Sequence, residues 1–190
     1  MKHPPLAATP WPTDASETSR DRAGDDLGVR LVRRIQRHWL AVVSLASAAI
    51  LFGAVWVAYL RSVGASNLAE ALSTAYLFLC PQRPSHSYFP FGAQMALEER
   101  EVAMFATLAL GGVLYGRLRG RLQPTSLVWV AVLSAPMAWD VFFQMIGLWD
   151  SNWFWRTVTA VLSTWAVMWY VYPRWDIMLA RRWRARPRPT

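Results

Sequence analysis

Apolar residues fall in blocks along this chain, separated by basic or proline-rich stretches. Trp39 to Leu60 is 22 residues without a charge, closed by Arg61. At 1.5 Å per residue it spans a hydrocarbon core of about 30 Å, which predicts a first transmembrane helix. Residues 67–79 are apolar but short and carry Glu70, which suits an interfacial or re-entrant segment, or a helix extending the bundle above the membrane. Residues 80–101 hold three prolines and one glycine and predict an ordered extramembrane loop. A second, short helix is expected over 102–116, behind Glu98, Glu99 and Glu101, where acids suit the positive end of a helix dipole. Pro124 fits the first turn of a third helix over about 125–147. Asp150, Ser151 and Asn152 make a polar turn, and a fourth helix over 154–172 is expected to stop at Pro173. The predicted class is all-α integral membrane with about four transmembrane helices. Residues 1–30 form a disordered cytoplasmic tail, 31–175 the membrane domain, and 176–190 a basic cytoplasmic tail.

Charge sets the expected orientation. Of 20 basic residues, sixteen lie in the N-terminal tail, the 116–121 turn and the C-terminal tail. Four spans with both termini cytoplasmic put all sixteen on the cytoplasmic side, as the positive-inside rule requires. The formal charge of +8 therefore points to anionic headgroups and not to nucleic acid, because the arginines are split by apolar runs. No secretory signal is expected, since the first apolar block starts near residue 39 without a cleavage site of small residues. These features point to a multi-pass membrane protein with its basic segments on the cytoplasmic side. Cys80 is the single cysteine, so no internal disulfide or Cys-x-x-Cys site exists. His3, His38 and His86 lie outside the apolar runs, which disfavours haem held between helices. No metal and no cofactor is expected. The 12 tryptophans gather toward helix ends, as indoles at headgroup level do; a pigment or quinone cradle is the alternative.

The stretch Pro136–Thr159 carries polar groups where they are costly. Asp140 and Gln144, four apart, share a helix face, and Arg156 begins the next helix. An ionised group at mid-bilayer costs roughly 2.5–3.5 kcal/mol on insertion scales, so such groups take partners. Folding the third and fourth helices about the 150–153 turn predicts an Asp140–Arg156 ion pair, or a network with Gln144 and Thr159, near the outer leaflet. Asn152 belongs to the same turn. Arg83, His86, Gln94 and Arg100 are expected at the mouth of any pocket there. The structural role is polar glue for the helix hairpin; the functional one is an outward-opening pocket.

Two motifs carry a resemblance. Cys80-Pro81-Gln82-Arg83-Pro84-Ser85-His86-Ser87-Tyr88-Phe89, with Gly92, Gln94 and Glu98-Glu99-Arg100-Glu101, follows a Cys-His-Gln loop pattern. Pro136, Asp140, Gln144, Gly147, Ser151, Asn152, Arg156 and Thr159 follow a second pattern without a gap. Over about residues 80–160 the chain resembles a bacterial and archaeal family of predicted integral-membrane proteins known only as a domain of unknown function, and the resemblance implies a multi-pass protein of a prokaryotic cytoplasmic membrane. The chain departs from it at Pro81, Glu98 and Glu101, where the family has His, Cys and Asp or Cys, and at Trp149 and Ala160. The resemblance implies a Cys/His set able to hold a metal or do thiol chemistry, of which this chain keeps Cys80 alone.

No nucleophile–base pair, phosphate loop or ligand cluster points to an enzyme. The leading expectation is a small accessory or structural subunit, bound to the bilayer and to a protein partner or to further copies of itself. The alternative is an outer-leaflet lipid or small-molecule binding protein or enzyme, with Asp140 as base or cation ligand and an arginine as anion clamp. A transporter is disfavoured by four helices without a visible repeat.

Overall fold

A computed structural model describes residues 19–184. Residues 1–18 of the expected N-terminal tail, and 185–190 of the C-terminal one, lie outside the described residues. The chain forms two units, Met1–Arg37 and His38–Thr190. Helix α1 (Ser19–Ser62) crosses the boundary, with non-helical dihedrals at His38 (φ −111°, ψ 17°). The tail expected to lack structure to residue 30 is therefore helical from Ser19. Its arginine, alanine and leucine content is helix-compatible, although it shows no apolar stripe.

The second unit is all-helical. After α1 come α2 (Ser66–Tyr76), α3 (Glu99–Leu118), α4 (Leu127–Met145) and α5 (Trp153–Arg184). No strand occurs among the described residues; Ser87 and Glu98 make one isolated antiparallel bridge. Among the described residues, three helices are long and apolar enough to cross a membrane: His38–Ser62, Glu99–Leu118 and Leu127–Met145. The segment expected as a fourth span lies within α5, which is not among these three. Its run between Arg156 and Arg174 is 17 residues and is rich in Trp, Tyr, Ser and Thr.

Helix α5 is the axis on which α3 and α4 pack. Two cores hold the unit together. One joins Ala54, Val57, Ala58 and Leu60 of α1 to Ala69 of α2 and to Cys80, Met95, Ala96 and Leu97 of the following loop. The other joins Trp39 and Leu40 of α1 to Tyr115 of α3 and to Met168, Tyr172 and Leu179 of α5. Close approach of α1 to α3 depends on Gly112, where a Cβ would run into the Ser44 hydroxyl. Small residues let membrane helices gain dispersion contacts that a larger side chain would block.

Pro173 does not end α5. It removes one helical hydrogen bond and carries a cost of about 3 kcal/mol, which the surroundings outweigh. Arg174 lies over the Tyr170 ring at 3.6 Å and donates to the Tyr170 carbonyl at 2.9 Å. One turn on, Asp176 accepts from Trp39 Nε1 (3.1 Å), Tyr115 OH (2.9 Å) and both Nε and Nη2 of Arg119 (2.8 and 2.5 Å). A single carboxylate thus gathers α1, α3 and α5 at the arginine-rich end.

The 80–98 loop is ordered, as expected. Gln82, in the left-handed region (φ 56°), is pinned to α2 by Ser73: its Oε1 accepts from the hydroxyl at 2.5 Å and its Nε2 donates to the carbonyl at 2.7 Å. Arg61, which closes the first span, donates to the Ser73 hydroxyl and the Gln94 carbonyl, both at 2.9 Å. These bonds seat the loop on α1 and α2 and bring Arg83, His86 and Glu98 to the end of the bundle where α3 begins.

Candidate functional site

The costly charges of the second unit converge where α3 and α5 start and α4 ends. Asp140 is buried on α4, but its partner is not Arg156. Arg100 on α3 donates to Asp140 Oδ2 at 2.5 Å, and the Ser151 hydroxyl donates to the same oxygen at 3.1 Å. Arg156, only 4% exposed, donates through Nε to Ser151 Oγ (3.2 Å), through Nη1 to Glu99 Oε2 (3.1 Å) and through Nη2 to Asp150 Oδ1 (2.5 Å). Ser151 therefore accepts from one partner and donates to the other, relaying between the two ion pairs. The predicted Asp140–Arg156 bond is absent because Arg100, one position past Glu99 on α3, fills the place beside Asp140.

Gln144 stands apart from Asp140. Its Nε2 meets His86 at 3.2 Å from Nε2, and donates to Asp150 Oδ1 at 3.4 Å. His86 lies between Glu98 and Asp150, 3.8 and 3.7 Å away. Burial, and then the Arg156 charge, lower its pKa; the two carboxylates work the other way. Thr159 hydrogen-bonds within α5, to the Trp155 carbonyl at 2.8 Å, and so is not in the network. Asn152 caps α5, its Oδ1 accepting the Trp155 N–H at 2.9 Å. Gln94 holds the loop, donating to the Gln82 carbonyl at 2.7 Å. Of the residues expected at a mouth, Arg83 and His86 line one, Gln94 does not, and Arg100 lies behind it. Glu99 and Ser151, the partners that complete the network, were not among the expected pocket residues.

Two cavities flank the turn after α4. The larger, about 600 Å³, lies in the crevice between α4 and α5 and is lined by Pro136, Trp139, Asp140, Phe143, Leu148, Trp149, Trp155 and Thr159. Asp140 is its one ionisable group. Oδ2 is taken by Arg100 and Ser151, whereas Oδ1 has no hydrogen-bond partner among the described residues. The second cavity, about 350 Å³, is polar, with Arg83, His86, Gln144 and Asp150 in its wall. Leu148 and Trp149 are common to both, in a turn made possible by Gly147 in the left-handed region (φ 71°).

Cys80 is buried in the α1–α2 core. Burial raises its thiol pKa, and the carboxylates of Glu101 and Glu98 push the same way, against the N–H groups of Glu98 and Gln82. Among the described residues no group of three His, Cys, Asp or Glu is placed to hold a metal ion.

Every residue of the network and of both cavities lies within one segment. Residues 80–170 match the DUF2085 family, described as "Predicted membrane protein". The matched segment takes in the ordered loop, α3, α4 and the whole first half of α5, and it stops short of Asp176. A relative is the "Uncharacterized protein MJ1492" of Methanocaldococcus jannaschii, 27% identical over 141 residues, covering 70% of this chain and 88% of that protein. No solved structure matches.

Proposed function

We propose that this predicted membrane protein binds an amphipathic small molecule in the α4–α5 crevice, apolar body among the aromatic rings and polar end toward Asp140. The observation that carries the reading is the crevice itself. Its volume falls within the roughly 300–1,000 Å³ usual for ligand sites, its walls are almost wholly apolar, and its single carboxylate keeps one oxygen unengaged. The buried network behind it holds Asp140 in place, as a preorganised site requires. The protein lies in a prokaryotic cytoplasmic membrane with four spans and both termini cytoplasmic. The 17 uncharged residues of α5 serve as the fourth span, at about 25 Å, the basic ends support the orientation, and an archaeal relative suits a prokaryotic source.

The test is native mass spectrometry of protein extracted without detergent into polymer-bounded bilayer discs. A small molecule retained by the wild type and lost in Trp155→Ala is the expected result. Identical bound complements in the two proteins would overturn it.

A second reading, an accessory subunit that docks to a partner or to further copies, has one observation in its favour. Only 6% of α4's apolar length is buried within the protein, leaving Val128, Trp129, Val132 and Phe142 outward. Co-purification of a stoichiometric partner in mild detergent supports it; a partner-free monomer at native expression removes it.

A further inference from the structure

We infer that the molecule held in the α4–α5 crevice is an organic cation, a quaternary or protonated ammonium on an apolar body. This rests on the binding role proposed above and adds the ligand's charge. Four rings line the crevice, those of Trp139, Phe143, Trp149 and Trp155. Trp139 and Phe143 stand 4.4 Å apart between centroids, tilted by 37°, and form a continuous aromatic wall. The electron-rich faces of such rings attract cations, tryptophan most strongly, and clusters of them with an acid select ammonium groups.

The acid of the wall points the same way. Asp140 is the one ionisable residue lining the crevice, and its Oδ1 has no hydrogen-bond partner among the described residues, so the crevice offers an acceptor and no donor cation. An anion finds nothing here: no basic residue lines the crevice, and Arg100 and Arg156 are turned onto Asp140, Glu99 and Asp150.

The experiment compares three small probes on the purified full chain in bilayer discs, by tryptophan fluorescence and calorimetry. They are benzyltrimethylammonium, its uncharged carbon isostere neopentylbenzene, and benzenesulfonate. The cation is expected to bind about tenfold or more tightly than either of the others. Asp140→Asn is expected to erase that preference. Should Asp140→Asn fail to fold, Trp149→Leu on the exposed turn decides, weakening the cation more than the neutral isostere. Equal binding of cation and isostere, tighter binding of the sulfonate, or an unchanged preference in Trp149→Leu overturns the cationic class while leaving a crevice ligand standing. Binding of none of the three overturns the crevice reading itself.

Discussion

Arg100 on α3 meets Asp140 on α4 at 2.5 Å, so an ion pair joins two helices that each pack along α5. Both side chains are largely buried, and Arg100 has no second carboxylate partner among the described residues.

Removing one partner strands the other charge. Asp140→Ala and Arg100→Ala are each expected to lower stability by about 3–5 kcal/mol, read as thermal or denaturant unfolding in a fixed detergent. The double variant is expected to cost clearly less than the sum of the singles. A wild-type melting profile for Asp140→Ala would show that the pair contributes nothing.

The two carboxylates on Arg156 should differ. Glu99 is buried, whereas Asp150 is 74% exposed, so solvent screens its bond. Glu99→Ala is expected to cost about 3 kcal/mol and Asp150→Ala at most about 1 kcal/mol. Side-by-side unfolding of the two variants gives the ranking, and a reversed order would contradict it.

His86 makes stability pH-dependent. Its folded pKa is lowered, so the unfolded chain binds the extra proton first as pH falls. The contribution of neutral His86 is complete above about pH 6.5, the unfolded value, and is lost as pH falls through the lower folded value. Melting temperature is therefore expected to drop between pH 7.5 and 5.5 in the wild type and to drop less in His86→Gln. Parallel profiles would exclude the histidine as the source.

Cys80 should behave as an inert core thiol. With its pKa raised by burial, little thiolate forms near neutrality, and the thiolate is the reactive species. Maleimide or iodoacetamide labelling is expected to be slow in the folded protein and fast after denaturation. Rapid labelling of the native form would place the thiol at the surface instead.

Much of this was legible in the residues, and the failures share a cause. Trp39–Leu60 announces a span through length and absence of charge, and Asp140 and Arg156 announce themselves by their cost in an apolar setting. Which partner each takes depends on how α3 rotates against α4 and α5, and no spacing within one helix encodes that. Glu99 was legible only as an acid suited to a helix N-terminus, a local role, although it is the buried partner of Arg156 from 57 positions away. Asn152 and Thr159 stood in the same pattern as Asp140 but serve their own helix. Pro173 was misleading because local propensity sees the lost hydrogen bond and not Asp176, whose partners include Trp39, 137 residues earlier.

The Asp176 cluster has a mechanical meaning. Arg156 and Asp176 are twenty residues apart on α5, about 30 Å along its axis, and each is lashed to α3, by Glu99 at one end and by Tyr115 and Arg119 at the other. A helix moored at both ends resists sliding like a strut. Any widening of the crevice therefore falls to α4, which hangs from this frame by Asp140, by the Ser134–Ser163 hydroxyl contact at 3.0 Å and by the Gly147 turn. The carboxylate that lines the crevice is thus also one of the ties that limit how far α4 can swing away.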